Sequence, residues 1–131
     1  MKDNIIELKK PVKMTVGLTD NEINKLDRLY QQILLLRHPL SEISRKPADC
    51  IHHFLRKPMA LRWWLKGGIP VTAEEHDIFH SAKGKELDAI IIKKRGEEWY
   101  KEMKSRKFKI VKYINYKSVM RYLNGDSADY I

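Results

Sequence analysis

The chain begins with an alternating pattern of apolar and polar residues and then changes to a helical one. Every second residue from Val12 to Leu18 is apolar, which predicts a short strand with one buried face. Residues 1–11 before it are mixed and charged, and we expect a flexible arm there. Thr19 and Glu22 have the spacing of a capping box, so a helix should start here and run to about Arg37.

Helical signals continue after His38-Pro39, which should end the first helix. The apolar spacing predicts a second helix from about Pro47 to Lys57, and a further helical stretch over residues 59–66. Gly67-Gly68-Ile69-Pro70 is the strongest interruption of the chain, and we place the main boundary there.

The C-terminal half has a similar mixture of signals. Thr72 and Glu75 form a second capping-box pattern, which predicts a helix to about His80. The remaining expectations are helices over 86–94, 97–104 and 116–123, a strand over 108–113, and a loose tail over 126–131. The expected fold is mostly α-helical, with a short N-terminal strand and a helical, α+β C-terminal region. The expected parts are an arm (1–11), a module (12–66) and a basic region (67–131).

The order of strand, capped helix, loop and second helix over residues 12–57 resembles the ribbon-helix-helix family of DNA-binding proteins. A lone strand cannot satisfy its own edges, and pairing with a second copy would give a two-stranded ribbon that fits the DNA major groove. The resemblance therefore implies a homodimer that binds double-stranded DNA. The region before the second helix departs from the family, because the connection over 34–43 contains no glycine.

The resemblance also implies particular contacts with DNA. Base edges would be read by Lys13, Thr15 and Gly17, although Gly17 brings no side chain to its position. Phosphates would be held at the start of the second helix by Ser44, Arg45 and Lys46.

The charge of the chain agrees with a polyanionic partner. Lys and Arg number 26 against 17 Asp and Glu, a formal net charge of +9. An acidic protein or an anionic membrane surface would be compatible with the same balance. The single cysteine excludes an internal disulfide, no signal peptide is visible, and no apolar run approaches the roughly 20 residues that span a bilayer. We expect a cytoplasmic protein without a membrane partner.

Basic residues are dense over 93–121, where aromatic residues are interleaved with them. Lys107, Lys109 and Lys112 are our candidates for further phosphate contacts there. Aromatic residues among lysines are also typical of single-strand binders, while a solvated basic face over an aromatic core is the other interpretation.

Two histidine patterns bear on metal binding and catalysis. His76 and His80 lie one helical turn apart, a spacing that can hold a divalent metal, but the residue order of a zinc hydrolase and a cysteine pair are both missing, so two ordinary surface histidines explain them better. Cys50 is followed by His52 and His53, yet residues so close in a helix point in different directions and make no catalytic pair. We therefore expect no metal and no cofactor, and a half-buried structural Cys50.

Trp63 and Trp64 are predicted to belong to the core rather than to an interaction patch. No phosphate loop and no nucleophile motif is visible, so an enzyme is not expected.

The leading functional hypothesis is a dimeric, sequence-specific DNA-binding protein, acting as a repressor or as an accessory factor in plasmid transfer or maintenance. The alternative is an adaptor or inhibitor, of phage or plasmid origin, that docks an acidic partner through its basic face. A weaker third hypothesis is a small metal-dependent nuclease that uses His76 and His80. The C-terminal region could also bind a protein partner.

Overall fold

The computed structural model describes residues 17–131, which form a helical domain around one small antiparallel sheet. In chain order the elements are α1 (Asp20–Arg37), β1 (Cys50–His53), α2 (Met59–Arg62), a 3₁₀ turn (Leu65–Gly67), β2 (Gly68–Val71), α3 (Ala73–Phe79), α4 (Gly84–Arg95), α5 (Glu97–Lys107) and α6 (Tyr116–Leu123). The mostly helical class expected from the sequence is confirmed. The predicted arm and nearly all of the predicted strand over 12–18 lie outside the described residues.

Helix α1 begins and ends where the sequence predicts. The Thr19 hydroxyl accepts a hydrogen bond from the Glu22 amide, and the Glu22 carboxylate accepts one from the Thr19 amide. Four residues of one face are buried, namely Ile23, Leu26, Tyr30 and Leu34. The helix ends at Arg37, directly before His38-Pro39.

The helix predicted over residues 47–57 is wrong. Cys50–His53 is strand β1, which pairs antiparallel with β2 so that Cys50 lies opposite Val71 and His53 opposite Gly68. The apolar residues of this segment suggested a helical face, but backbone pairing with a strand that follows the double glycine decides the local structure. The ribbon-helix-helix arrangement is not confirmed, since a loop and a strand follow α1.

The predicted boundary at Gly67 lies between the two strands of this sheet. Helix α1 also packs against α6, from the other end of the chain. Residues before and after Gly67 therefore share one sheet and one core.

The core is centred on the two tryptophans, and their predicted burial is confirmed: Trp63 is 0% and Trp64 6% exposed. The Tyr30 hydroxyl donates to the Trp64 carbonyl over 2.9 Å, which joins α1 to this segment. The Leu65 amide donates to the Tyr122 hydroxyl over 2.8 Å, which joins α6 to it. The aromatic core therefore holds together both halves of the sequence.

Two expectations for the C-terminal region are corrected. Residues 108–113 form no strand, because no other strand in the described part of the chain lies beside them to pair with. The tail is not loose: Tyr130 is buried, and Asp129 accepts two hydrogen bonds of 2.7 and 2.8 Å from the Arg106 guanidinium. The predicted helix over 116–123 is confirmed as α6.

Among residues 17–131, no helix has both the length and the apolar character needed to cross a bilayer.

Candidate metal centre and basic cleft

A cleft of about 750 Å³ opens between α1, β1 and α3. Its walls carry most of the histidines of the chain together with charged side chains. The histidine and charged residues of the lining are Asp27, Arg28, His52, His53, Arg56, Lys57, His76, His80 and Asp88.

Three of these histidines converge at one point and are called the histidine cluster: His52, His76 and His80. One ring nitrogen from each lies within 4.8 Å of the others. The His76 and His80 Nε2 atoms are 3.2 Å apart. Two nitrogens bound to one tetrahedral zinc ion at its usual bond length would be about 3.4 Å apart. His76 and His80 therefore already have the spacing of two metal ligands.

The local sequence explains why the cluster forms. β2 ends at Val71, opposite Cys50, and α3 starts at Ala73, so the chain turns and places α3 beside β1. The turn is fixed by a capping box in which the Thr72 hydroxyl and the Glu75 carboxylate each accept a backbone amide hydrogen bond. His76 and the residue after α3, His80, then lie one turn apart on the side facing β1.

Glu75 also anchors α3 to the preceding loop. Its carboxylate accepts a 2.5 Å hydrogen bond from the buried Ser41 hydroxyl. Burial alone would raise the pKa of Glu75, but the hydrogen bonds from Ser41 and Thr72 outweigh it and lower the pKa. A charged Glu75 therefore stabilises the start of the helix that carries His76 and that is followed directly by His80.

His52 is the buried member of the cluster. Only 5% of the residue is exposed, and its ring stacks on Phe79 with the centroids 4.2 Å apart and the planes at 19°. Its Nδ1 atom is buried without a hydrogen-bond partner in the described part of the chain. A buried polar atom left unsatisfied costs about 1–3 kcal/mol, so this ring requires an explanation.

Burial favours the neutral form of two members of the cluster. Together with the proximity of the His76 and His80 rings, it lowers the pKa of His52 to about 3. Burial also lowers the pKa of His76. Neutral imidazole is the form of histidine that binds metal ions.

His53 points away from the cluster, toward α1. Its Nε2 lies 3.0 Å from the Arg62 carbonyl oxygen, and its ring stacks on Tyr30. Burial lowers the pKa of His53 to about 4. Successive residues of a strand face opposite sides, so His53 faces away from His52 and packs against α1.

The rim of the cleft is cationic. Arg28, Arg56 and Lys57 line it and are exposed to solvent. Asp27 is engaged elsewhere, because it accepts hydrogen bonds of 3.0 and 2.7 Å from Arg62 and one of 2.9 Å from the Trp63 ring. Burial raises the pKa of Asp88, the remaining carboxyl of the lining.

Of the three base contacts expected from the sequence, the structure describes Gly17 alone. Lys13 and Thr15 lie outside the described residues. Gly17 occupies an exposed turn with a φ of +88°, and a Cβ there would collide with the Ile114 carbonyl oxygen. The glycine therefore permits a close backbone approach within the molecule.

Ser44, Arg45 and Lys46 do not start a helix, which corrects the expected geometry of phosphate binding. They are exposed in a turn that is held by Ser41, whose hydroxyl accepts hydrogen bonds from the Ile43 and Ser44 amides. The residues lack the array of free amides that a helix N-terminus would offer.

The predicted phosphate contacts Lys107, Lys109 and Lys112 are exposed on what we call the basic segment, residues 107–113. Phe108 is 76% and Tyr113 60% exposed on the same segment. Lysines and aromatic rings are therefore presented together to solvent.

The sequence indicated two of the three members of the cluster and missed His52. The His76–His80 spacing was visible, whereas the approach of His52 depends on the β1–β2 pairing. Cys50 is half-buried as predicted, and burial raises the pKa of its thiol.

Comparison with protein-family models, with curated proteins and with solved structures found no match, so function is argued from the site itself.

Proposed function

We propose that the histidine cluster binds a divalent transition metal ion such as Zn²⁺, and that the bound ion activates water for hydrolysis in the cleft. The observation that carries this proposal is the convergence of three ring nitrogens within 4.8 Å at the wall of an open cleft.

The chemistry of the donors favours zinc and its neighbours in the first transition row. All three donors are imidazole nitrogens, which suit Zn²⁺, Cu²⁺ and Ni²⁺, whereas Mg²⁺ and Ca²⁺ require oxygen ligands.

The number of donors favours a reactive site over a closed structural one. Structural zinc sites have four protein ligands, while catalytic sites have three and keep a position for water. Zinc lowers the pKa of such a water to about 7, which makes hydroxide available at neutral pH. The three histidines also line the cleft, so an open position can face a substrate there.

Metal binding is tested on the full chain by titration with Co²⁺, followed by visible absorption, and with Zn²⁺, followed by calorimetry. We expect one ion per chain and a d–d spectrum of tetrahedral or five-coordinate Co²⁺. His80→Ala should lower the affinity at least tenfold, because it removes one of three ligands. His38→Ala is the matched control, since His38 is exposed at the end of α1, outside the cleft lining.

His80 is exposed, so its replacement should leave the fold intact, and circular dichroism checks this. Absence of Co²⁺ or Zn²⁺ binding by the wild-type protein would overturn the proposal. Equal affinities of the wild-type protein and His80→Ala would do so as well.

A second candidate function is nucleic-acid binding through the basic segment. The exposed Phe108 and Tyr113 rings offer stacking surfaces to bases, and the lysines between them offer charges to phosphates. As part of this second candidate function, we propose that Lys13 and Thr15 read base edges in a dimer. Docking of an acidic protein is the competing use of the same charges.

Gel-shift titrations with single-stranded and duplex DNA at two salt concentrations test the second candidate. We expect binding that weakens steeply with salt, and a shallower salt dependence when Lys107, Lys109 and Lys112 are replaced by Ala. The charge-matched control replaces three other exposed lysines: Lys83, which precedes α4, and Lys85 and Lys93 on α4. No retardation at low salt would reject this candidate, and a monomer in light scattering at micromolar concentration would reject the dimer.

A further inference from the structure

The lining of the cleft has a composition that selects the charge of its substrate. Of the two carboxylates, Asp27 is neutralised by its paired hydrogen bonds with Arg62. The other charged residues of the lining are three cations, Arg28, Arg56 and Lys57, and one acid, Asp88. A bound dication would add further positive charge. An anionic group is therefore favoured next to the histidine cluster.

Arg56 adopts a backbone conformation that arginine rarely takes. Its φ is +68°, in the left-handed region, where an L-residue other than glycine is strained. Glycine would relieve this strain at no steric cost. The exposed guanidinium of Arg56 lies in the lining of the cleft, where it can reach a bound anion.

The guanidinium narrows the class of anion. Its planar fork donates two parallel hydrogen bonds, which match the two non-bridging oxygens of a phosphodiester. A cleft of about 750 Å³ falls within the size range of small-molecule sites, so a nucleotide-sized portion of a chain can enter. The cations at the rim can then hold the phosphates on either side.

We infer that the histidine cleft takes a nucleic-acid phosphodiester as its substrate, with Arg56 binding the phosphate that is cleaved. This inference rests on the proposed metal site and adds the substrate class to it.

The reaction is a hydrolysis without oxidation or reduction. A water at the open position of the ion loses a proton, and its oxygen attacks phosphorus. A new P–O bond forms as the bond from phosphorus to the leaving alkoxide breaks, and the proton passes through solvent to that alkoxide. The products are a phosphate monoester and an alcohol.

The chain provides a matched control for the arginine. Arg45 has the same φ of +68° but lies in the turn held by Ser41, outside the cleft lining. Arg56→Gly and Arg45→Gly therefore remove the same charge and relieve the same backbone strain. Only the first change removes a side chain from the cleft.

The test compares two chromogenic substrates on the Zn²⁺-loaded full chain: bis(4-nitrophenyl) phosphate, a diester anion, and 4-nitrophenyl acetate, a neutral ester. We expect zinc-dependent hydrolysis of both. Arg56→Gly should lower kcat/KM for the diester at least tenfold and leave the neutral ester within twofold. Arg45→Gly should change neither rate by more than twofold.

A labelled single-stranded and a labelled duplex oligonucleotide complete the test, and chelator-sensitive cleavage of either one is expected. Cleavage of the small diester but of neither oligonucleotide would overturn the assignment to nucleic acid. Hydrolysis of the neutral ester without the diester, or equal losses in the two arginine variants, would overturn the inference and leave the metal site standing. Failure to bind zinc would instead reject the proposed function.

Discussion

Gly68 lies where the chain has no room for a side chain. It is buried at the start of β2, and a Cβ there would lie 2.5 Å from a Leu34 methyl and 2.7 Å from both an Ile51 methyl and the Tyr30 hydroxyl. These three side chains belong to α1 and β1. The glycine therefore allows the sheet to pack closely on the first helix.

Gly68→Ala should accordingly destabilise the protein by about 1–3 kcal/mol, the usual cost of overpacking a core. Urea unfolding followed by tryptophan fluorescence measures the change. Gly67→Ala is the control, because a Cβ at that neighbouring position would meet Met103 and Trp64 atoms at an ordinary 3.4 Å. Similar losses in both variants would contradict the close packing at Gly68.

The pair of Arg106 and Asp129 gives a prediction in pH. The hydrogen bonds from Arg106 are the largest cause that lowers the pKa of Asp129 below its ordinary value of 3.8. A carboxyl with a lowered pKa in the folded state stabilises the fold above that ordinary value, and the contribution is lost as the pH falls.

Asp129→Asn should therefore lower the melting temperature at pH 7 and reduce its fall between pH 5 and pH 2. Thermal melts across this range measure the effect. The same steepness of acid destabilisation in both proteins would show that Asp129 contributes nothing to it.

Some of these positions were predictable and others were not. The burial of Trp63 and the half-burial of Cys50 follow from residue type and from their apolar neighbours. The role of His52 does not follow, because its neighbours in space are His76 and His80, brought close by strand pairing. Local sequence carries no signal for such an approach.

Thr72 decides where α3 begins, so it should influence stability and the metal site together. Thr72→Ala removes the hydroxyl that caps the Glu75 amide, at a cost of about 1 kcal/mol. It should also weaken Zn²⁺ binding, since one of the three proposed ligands, His76, lies on α3 and a second, His80, directly follows it. Chemical unfolding and calorimetric Zn²⁺ titration measure the two effects.

Thr19→Ala is the matched control, because Thr19 makes the same capping box at the start of α1. It should cost a similar amount of stability and leave Zn²⁺ affinity unchanged. If Thr72→Ala and Thr19→Ala weakened Zn²⁺ binding equally, the capping of α3 would have no specific effect on the metal site.

The same capping boxes explain which elements the sequence could predict. Thr19 and Thr72 each form a capping box with a glutamate three residues later. This pattern is local in the sequence, so the starts of both helices could be predicted. Two short segments were predicted wrongly: Cys50–His53 as part of a helix, although it is a strand, and 108–113 as a strand, although it forms none. Whether a short apolar segment becomes a strand depends on a partner strand. Cys50–His53 has its partner in β2, and residues 17–131 contain no partner for 108–113.

The proposed metal joins β1 to α3 and should stabilise the folded chain as a whole. A ligand that binds only the folded state adds about 2.7 kcal/mol when its free concentration is one hundred times Kd. The melting temperature should rise on addition of Zn²⁺, return with a chelator, and respond little in His80→Ala. If the melting temperature of the wild-type protein did not change on addition of Zn²⁺, this expectation would be contradicted.

The net charge of +9 indicated a polyanionic partner without locating it. Among residues 17–131, the cleft rim and the basic segment each expose several cationic side chains. Charge counted along a sequence cannot separate them, because Arg28 and Arg56 come from distant parts of the chain and meet only at the rim.

Two members of the histidine cluster lie one helical turn apart, while the third precedes the first of them by 24 positions and reaches them only through the β1–β2 pairing. An ion held by all three would tie the hairpin to α3, and the empty chain would open more readily to proteases. In a cell deprived of zinc, the amount of this protein would then fall through degradation, without any change in its synthesis.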